Sequence, residues 1–265
     1  MKIQIHGHRG CRGIFPENSI PGFLHAITCG CDFLEMDVVI IDGVVVVAHD
    51  PFIIKSVNAE DETEAIRNSF LEMTIDELKS HTYGKTYLPK FPDQIKISVG
   101  IPTLRETIIE IEKFCTEHNF LNIRYNIEIK SYPEWIGVYQ PEPDLVVESV
   151  NKIIDEMNIS SRVLLQSFSN EVLSLLNKNS EIPFGKILKR SESFDSEAYK
   201  HLKLHHVAPH HTDVTKDQVA NIHASNLFAI PYTVNDVSDM KRLIDLKVDG
   251  IVTDYPGRLA KLIAR

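Results

Sequence analysis

The sequence predicts an α/β protein, a TIM (β/α)8 barrel with a small insertion after the second barrel strand. The first observation behind this prediction is a series of eight short apolar segments with the composition of β-strands. The second is that helix signals lie between most of these segments, because strands that alternate with helices pair in parallel. The third is the length of 265 residues, which is common for a barrel of this kind that forms one domain.

The predicted strands are spread over the whole chain. They are residues 3–7, 33–41, 123–130, 163–168, 184–188, 205–209, 227–234 and 250–254. Helices are expected to begin where a capping residue follows a strand or loop, at Asn18, Thr103, Ser169 and Asn235. Thr103 is followed three residues later by Glu106, which is the spacing of a capping box.

Residues 51–102 interrupt this alternation of strands and helices. They hold one well-marked helix, begun by Thr74 with Glu77 in capping-box spacing and ended by Gly84. We therefore expect a single barrel domain, 1–265, in which the insertion caps the barrel mouth. Active sites of this fold lie at that end of the barrel.

Composition and charge exclude several classes of protein. The hydrophobic content of 43% is enough to fill a sizeable core. The net charge of -9 argues against nucleic acid as a partner and against docking on anionic membranes, because both attract basic surfaces. No apolar run approaches the roughly 18 to 20 residues of a membrane span, so stable membrane insertion is not expected. The expected partner is a small molecule, and the sequence leaves the oligomeric state open.

The cysteines and the N-terminal residues bear on the compartment. Cys11, Cys29, Cys31 and Cys115 show no Cys-x-x-Cys spacing, so we expect reduced thiols and neither a disulfide framework nor a zinc site. The chain enters its first strand directly, which leaves no room for a signal peptide. Cytoplasmic residence is the expectation, or export if a signal peptide was removed from this sequence.

Three carboxylates on strand-like segments form a candidate metal site. Glu35 and Asp37 lie two residues apart in the apolar run 33–41 and therefore share one face of the strand. Two unpaired carboxylates would be costly to bury, and a cation would remove that cost. Glu128 lies on the next predicted barrel strand, where alternation places Lys130 on the same face. Oxygen ligands suit Ca²⁺ or Mg²⁺, and Mn²⁺ also fits.

Two histidines and an arginine complete a set of residues suited to phosphodiester chemistry. His8 and Arg9 follow the first strand. Asp42-Gly43 is a hairpin turn signal, so residues 44–47 are predicted to return beside the second strand and to present His49. Phosphoryl transfer needs cations around the non-bridging oxygens and separate groups that remove and donate a proton. Imidazoles do this near neutral pH.

In these segments the sequence resembles the glycerophosphodiester phosphodiesterases. The resemblance spans nearly the whole chain in order, so a chance match is very improbable. It is carried by His8-Arg9-Gly10, Pro16-Glu17-Asn18-Ser19, Glu35-Met36-Asp37-Val38, His49-Asp50, Asn126-Ile127-Glu128-Ile129-Lys130, Gln166-Ser167-Phe168, Tyr232-Thr233-Val234-Asn235 and Gly250-Ile251-Val252-Thr253-Asp254-Tyr255-Pro256. The resemblance implies a TIM barrel that hydrolyses glycerophosphodiesters, such as glycerophosphocholine or glycerophosphoethanolamine, to glycerol 3-phosphate and an alcohol.

The resemblance also implies a role for each candidate residue. The three carboxylates hold one divalent cation, and His8 and His49 form the proton-transfer pair. We assign His8 as base and His49 as acid, although the sequence cannot orient the substrate. Arg9 and Lys130 contact the phosphate. The nucleophile is either water or the glycerol hydroxyl next to the ester, which would give a cyclic phosphate first.

Two departures from the family pattern bear on the substrate. Gln166 and Tyr232 lie in matching segments and are candidate substrate-pocket residues, but the family often has Trp where this chain has Tyr232. The usual Thr-rich segment after His49-Asp50 is replaced here by residues 53–61. The alcohol group that is preferred therefore stays open.

Three other functions remain to be weighed. A related phosphodiesterase of the lysophospholipase D type would need an apolar channel for an acyl chain. That channel could be supplied by Phe52, Ile53, Ile54, Phe70 and Phe91. A catalytically silent barrel that only binds phosphorylated polyols is disfavoured, because all three expected carboxylates and both expected histidines are present. A glycosidase with two carboxylates would leave the paired histidines unexplained.

The remaining histidines are expected to be structural. His205-His206 and His210-His211 have no nearby carboxylate in sequence except Asp213, which favours packing or mouth-lining roles over a second metal site. His6 shares the strand face of His8 but should lie deeper in the barrel. We expect it to be a hydrogen-bonded core residue.

Overall fold

The computed structural model describes residues 3–56, 65–121 and 123–264 of the chain. Its strands are, in chain order, β1 (Gln4–Gly7), β2 (Phe33–Ile41), β3 (Val44–Val47), β4 (Phe52–Ser56), β5 (Ala65–Ser69), β6 (Thr82–Tyr83), β7 (Val99–Gly100), β8 (Arg124–Ile129), β9 (Val163–Ser167), β10 (Phe184–Ile187), β11 (Leu204–Ala208), β12 (Phe228–Ala229) and β13 (Gly250–Thr253). Its α-helices are α1 (Ile20–Thr28), α2 (Ile75–Ser80), α3 (Leu104–His118), α4 (Pro143–Glu156), α5 (Asn170–Asn179), α6 (Ser196–Tyr199), α7 (Lys216–Ala224), α8 (Val237–Asp245) and α9 (Pro256–Ile263).

Eight parallel strands form a barrel. The order round the ring is β1, β2, β8, β9, β10, β11 and β12, and β13 pairs with β1. Backbone hydrogen bonds close the ring between β12 and β13, from Asp249 N to Ala229 O at 2.9 Å and from Val252 N to Pro231 O at 3.0 Å. Each predicted strand segment overlaps one of these strands, so the predicted fold class is confirmed.

The helices cover the outside of the barrel with their apolar faces. Helix α1 is typical, because its buried residues Phe23, Ala26 and Ile27 recur at the three- and four-residue spacing of one helix face. Fully burying an apolar side chain of the size of phenylalanine or isoleucine contributes about 1.5 to 3 kcal/mol. No helix in the described part of the chain is long and apolar enough to cross a membrane.

Two of the predicted helix starts are confirmed. The Thr103 hydroxyl accepts a hydrogen bond from Glu106 N at 3.0 Å, and the Glu106 carboxylate accepts one from Thr103 N at 2.9 Å, which completes the capping box of α3. Ser169 caps α5 by accepting a hydrogen bond from Val172 N.

The other two predicted starts, Asn18 and Asn235, are wrong by one residue. The helices begin after Ser19 and Asp236 instead. The Asn18 side chain donates a hydrogen bond to Asp37 of β2, and that of Asn235 donates one to Asp254, which directly follows β13. These long-range contacts cannot be seen in local sequence.

The insertion begins after the predicted hairpin. Strand β3 runs antiparallel to β2, with Ile41 opposite Val44, so the hairpin prediction is confirmed. Two small antiparallel pairs follow, β4 with β5 and β6 with β7, and α2 lies between them. Residues 57–64 lie outside the described residues, so the last part of the predicted departure at 53–61 is not described.

The single predicted helix of the insertion starts as expected and ends early. Thr74 and Glu77 form its capping box. The helix ends at Ser80 rather than at Gly84. Gly84 instead turns the chain after β6 with φ of +94°, and a Cβ there would lie 2.5 Å from the carbonyl oxygen of Ile97.

The insertion packs on the barrel through its own small apolar cluster. Phe70 and Leu78 of the insertion pack against Val39, Ile41 and Val46 of the β2–β3 hairpin. This cluster is separate from the main core, in which the barrel strands pack against the surrounding helices.

Polar contacts attach the same insertion to loops at the barrel mouth. The Tyr83 hydroxyl donates to the carbonyl oxygen of Glu17 at 2.7 Å. The Gln94 side chain donates to the carbonyl oxygen of Arg12 at 2.7 Å, and the Ser69 hydroxyl donates to that of Val138, also at 2.7 Å. The insertion therefore spans from the loop after β1 to the loop after β8.

Candidate active site

The candidate residues meet because their strands are neighbours in the barrel. The carboxyl ends of parallel strands all point to one end, and β13, β1, β2 and β8 are consecutive round the ring. Register places Gly7 opposite Leu34 and Thr253, and Asp37 opposite Glu128. Side chains that are far apart in sequence therefore face one another across the mouth.

The three predicted carboxylates form one buried cluster. Glu35 and Asp37 are each 1% exposed and Glu128 is 7% exposed, and one oxygen of each lies within 4.8 Å of the others. Burial, together with the charges of Asp37 and Glu128, raises the pKa of Glu35 well above its usual value. A hard divalent cation would relieve this repulsion, so the cluster fits the ion that the sequence predicts.

Lys130 and Arg9 partly neutralise the carboxylates. Lys130 Nζ lies 2.8 Å from Glu128 Oε1 and 3.6 Å from Asp37 Oδ1, and Arg9 Nε lies 3.0 Å from Asp37 Oδ2. Burial opposes ionisation of Asp37, but Arg9 and Lys130 overcome it and hold the pKa of Asp37 well below its usual value. Both predicted phosphate-binding cations thus lie beside the cluster.

The turn after β1 explains why Arg9 is followed by glycine. Arg9 and Gly10 have φ of +49° and +85°, and a Cβ on Gly10 would lie 2.8 Å from the carbonyl carbon of Gly22. Only glycine fits that approach without displacing the backbone. The turn points Arg9 N at Glu35 Oε2 at 2.8 Å, so it orients a carboxylate as well as a cation.

His8 is held by a carboxylate from the last barrel strand. His8 Nδ1 lies 2.6 Å from Asp254 Oδ1, and Asn235 Nδ2 donates to Asp254 Oδ2 at 2.6 Å. Burial opposes ionisation of Asp254, yet His8 and Asn235 hold its pKa at about 2. An ionised partner at Nδ1 keeps the proton on that nitrogen and leaves Nε2 free to accept one.

His49 is held in the same way beside the carboxylates. Its Nδ1 lies 2.8 Å from Oδ1 of Asp50, in the loop after β3. Ala48 N donates to the carbonyl oxygen of Asp37 at 3.1 Å, which fixes the hairpin beside the cluster. His49 is more open than His8, with side-chain exposures of 30% and 11%.

Two clefts adjoin these histidines. One, of about 250 Å³, is lined by His8, Glu35, Glu128, Gln166, Ile187, Ala208, Tyr232 and Val252. The other, of about 690 Å³ with the solvent at its mouth, lies between barrel and insertion and is lined by Glu17, Asn18, Val47, Ala48, His49, Asp50, Phe52, Ile53, Phe70, His81, Thr82, Tyr83 and Ile101. Both predicted pocket residues, Gln166 and Tyr232, belong to the first cleft.

Sequence reasoning missed the residues that position the site. Asp254 lay within a matching segment but received no role, and Asn18 was taken for a helix cap. Asn18 Nδ2 donates to Asp37 Oδ2 at 2.9 Å. One signal was available for Asp254: barrel closure makes the first and last strands neighbours, so a carboxylate after the last strand must lie near His8.

His6, His205, His206 and His210 have the packed or mouth-lining surroundings that the sequence predicts. His6 and His206 are fully buried inside the barrel, and His6 lies within hydrogen-bond distance of Asn126 at 3.3 Å. His205 stacks on Phe228. His210 approaches the edge of the Tyr232 ring at 5.8 Å, which places it beside the mouth.

Comparisons with known proteins agree with this arrangement. A curated glycerophosphodiester phosphodiesterase from Bacillus altitudinis is 28% identical over 98% of this chain and 97% of its own length. A solved structure of a proposed glycerophosphoryl diester phosphodiesterase from Silicibacter pomeroyi superposes with a TM-score of 0.85 at 26% identity, covering 99% of this chain and 93% of its own. A phosphodiesterase from Oleispira antarctica, solved in complex with the product sn-glycerol-3-phosphate, shares the fold with a TM-score of 0.78 at 21% identity, covering 100% and 98%.

The model of one protein family matches nearly the whole sequence. The match runs over residues 8–258, from the first histidine of the site to the helix that follows Asp254. It therefore includes every residue that the barrel brings to the mouth. The chain belongs to the glycerophosphoryl diester phosphodiesterase family.

Proposed function

We propose that this chain hydrolyses glycerophosphodiesters, such as glycerophosphocholine and glycerophosphoethanolamine, to glycerol 3-phosphate and an alcohol with the help of a divalent cation. The observation that carries the proposal is a carboxylate cluster, Glu35, Asp37 and Glu128, flanked by two histidines that each have an aspartate at Nδ1. The names of the relatives support the substrate class. The product bound by the Oleispira antarctica protein supports glycerol 3-phosphate as the released phosphate ester.

The carboxylate cluster would hold Ca²⁺, Mg²⁺ or Mn²⁺. When bound, the cation supplies charge that polarises the phosphate and stabilises the negative charge gained in the transition state. Arg9 and Lys130, which offset the carboxylates in this structure, would then be available to bind the non-bridging phosphate oxygens. Their burial beside Asp37 keeps them in place for this.

The two histidines divide the proton transfers between them. His8 acts as base through Nε2, because Asp254 engages its Nδ1 and its surroundings are largely closed to water. His49 acts as acid toward the leaving alcohol, since it borders the larger and more open cleft. The nucleophile that His8 activates is water or the neighbouring glycerol hydroxyl.

The larger cleft is the proposed site of the alcohol. Beside it, the Phe52 ring of the insertion packs against Trp135 and Tyr139 of the loop after β8, with centroids 6.1 and 5.0 Å apart. The aromatic rings that line the cleft and the carboxylate of Asp50 favour a cationic alcohol such as choline or ethanolamine, whereas the Glu17 carboxylate is already paired with Arg9 and Arg12. Gln166 and Tyr232 would then contact the glycerol phosphate in the smaller cleft.

An acylated substrate fits this cleft less well. Phe52, Ile53 and Phe70 line it, but Phe91 lies elsewhere and is buried against Arg12 and Tyr255. The side chain of Ile54 lies outside the described residues. Phe91 is thus removed from the apolar wall proposed for an acyl chain, and this favours deacylated substrates.

The test is a metal-free preparation assayed with each cation restored in turn. We expect no turnover without a cation, and turnover of glycerophosphocholine and glycerophosphoethanolamine with Ca²⁺, Mg²⁺ or Mn²⁺. Lysophosphatidylcholine should be a poorer substrate. Alanine at Glu35, Asp37 or Glu128 should weaken cation affinity, measured by calorimetry. Full activity in a chelator, or binding of polyol phosphates with no turnover under any cation, would contradict the proposal.

A further inference from the structure

A second group of potential metal ligands lies outside the barrel mouth. Cys11 of the loop after β1, and His25 and Cys29 of α1 and its C-terminal end, form what we call the thiol–imidazole cluster. One sulfur or nitrogen atom of each lies within 4.8 Å of the others. All four cysteines of the chain are free thiols. The spacing of the cysteines in the sequence predicts no zinc site, because the three side chains of this cluster come together only in the fold.

The backbone places these three side chains together for identifiable reasons. His25 and Cys29 are four residues apart at the end of α1, so they share one helix face, and Cys29 N donates to the carbonyl oxygen of His25 at 3.0 Å. The Phe15 ring packs against the His25 ring with centroids 5.0 Å apart. Cys11 approaches from the turn that begins at Arg9.

The electrostatic surroundings favour a thiolate at Cys29. A hydrogen bond from Cys11, a backbone hydrogen bond from Gly257 at the start of α9, and the charge of Lys261 lower the pKa of Cys29 to about 7, against the opposing effect of burial. The bond to Cys29 and burial raise the pKa of Cys11. Thiolates, not thiols, bind metals.

We propose that Cys11, His25 and Cys29 form a binding site for a thiophilic divalent cation of the Zn²⁺ type. Two sulfurs and one imidazole are the donor set that Zn²⁺ accepts, and a fourth position remains for water or another ligand. Tetrahedral coordination places sulfur and nitrogen ligands about 3.5 to 3.8 Å apart, so only small side-chain rotations separate the present geometry from a bound one.

This site differs from the carboxylate cluster in the ions it selects. Ca²⁺ and Mg²⁺ prefer oxygen ligands and would stay at Glu35, Asp37 and Glu128, whereas soft thiolates select Zn²⁺ and Co²⁺. A cation here would join α1 to the loop after β1. That loop also carries His8 and Arg9, and the Cys11 sulfur lies 3.9 Å from the carbonyl oxygen of Asp254.

The test uses Co²⁺ as a spectroscopic probe on the full chain, with a phosphine reductant to keep the thiols reduced. Only sulfur ligation gives an intense ligand-to-metal charge-transfer band in the near ultraviolet, so Co²⁺ at the carboxylates does not contribute. We expect this band in the unmodified protein and its loss when Zn²⁺ is added as a competitor. Absence of the band at saturating Co²⁺ would overturn the proposal.

Variants assign the ligands. Cys29→Ser should weaken the band strongly, because one of its two sulfur ligands is lost, and His25→Ala should weaken Co²⁺ affinity at least about 10-fold, since even the outer partners of metal ligands contribute that much. Cys115→Ser is the matched control, because Cys115 is a buried thiol of α3 outside the cluster, and it should keep the band. Circular dichroism checks that each variant is folded. A band of undiminished intensity in folded Cys29→Ser would refute the assignment.

Discussion

Both histidines of the mouth bind an aspartate through Nδ1, and their surroundings differ. His8 is enclosed beside Asp254, whereas His49 borders the larger cleft with Asp50. An aspartate at Nδ1 fixes the ring tautomer in each case. The difference in access therefore separates the two roles that we propose, a base facing the nucleophile and an acid facing the alcohol.

Two substrates with different leaving groups can show which histidine is the base and which is the acid. His8→Ala should lower kcat about 10²-fold or more on every substrate, because the nucleophile always needs a base. His49→Ala should cause the same loss on glycerophosphocholine but a much smaller one on a p-nitrophenyl phosphodiester, whose leaving group needs no proton. Steady-state kinetics on both substrates measures this. If His8→Ala instead spared the p-nitrophenyl substrate and His49→Ala did not, His49 would be the base and His8 the acid.

Asp254 should affect catalysis rather than stability alone. Asp254→Asn keeps the shape of the side chain but removes the charge that holds the His8 tautomer, so kcat should fall about 10²- to 10⁴-fold. Asp249 at the other end of the same strand provides the control, since it pairs with His223 at 2.9 Å away from the mouth. Asp249→Asn should reduce the melting temperature and leave kcat unchanged. Equal kcat losses in both variants would point to a general structural effect.

At the scale of elements, the insertion is tied to the β2–β3 hairpin that carries His49. Leu78 of α2 is fully buried, and Phe70 is 1% exposed, against Val39, Ile41 and Val46. Removing the whole insertion would expose these barrel residues. Its influence on the substrate is better tested by loosening the insertion than by deleting it.

Leu78→Ala should loosen the insertion without unfolding the barrel. Truncation of a buried leucine costs about 2 to 5 kcal/mol, and the loss should fall on the small cluster. We expect faster amide exchange in residues 65–83 and a larger rise in KM for glycerophosphocholine than fall in kcat. Leu71→Ala is the control, because Leu71 is 42% exposed in the short 3₁₀ helix Phe70–Glu72. If amide exchange in Leu78→Ala were as slow as in the unmodified chain, the small apolar cluster would not be what holds the insertion on the barrel.

Strands and helix starts differed in how far sequence could predict them. Glu35 and Asp37 were placed correctly because strand alternation is local and their strand is buried on both faces. Asn18 was misplaced because its partner Asp37 lies on another element. The two small strand pairs of the insertion were not predicted, since short strands such as Thr82–Tyr83 leave no periodic pattern to read.

At the scale of the molecule, buried histidines inside the barrel make stability depend on pH. Burial and the neighbouring His205 lower the pKa of His206 to about 3, and burial lowers the pKa of His6 in the same direction. The unfolded chain takes up these protons near pH 6.5, and the folded chain does not. The contribution of these two histidines to the free energy of unfolding should therefore be fully present above pH 6.5 and be lost as the pH decreases toward 3.

The slope of the free energy of unfolding against pH shows which histidine causes the loss of stability. Each such histidine should contribute up to about 1.4 kcal/mol per pH unit in this window. Urea unfolding between pH 7.5 and 4.5 should show a shallower slope for His206→Gln than for the unmodified chain. His201→Gln, at an exposed histidine, should keep the original slope. An unchanged slope in His206→Gln would exclude His206 as a source.

The pairing of His8 with Asp254 joins the first barrel strand to the last. Glu35, Asp37 and Glu128 come from adjacent strands β2 and β8, so a partly assembled chain could already gather a cation. In the mechanism that we propose, proton transfer at His8 therefore depends on the meeting of the two ends of the chain, because Asp254 reaches His8 only through the pairing of β13 with β1. The carboxylate cluster, by contrast, needs only two neighbouring strands.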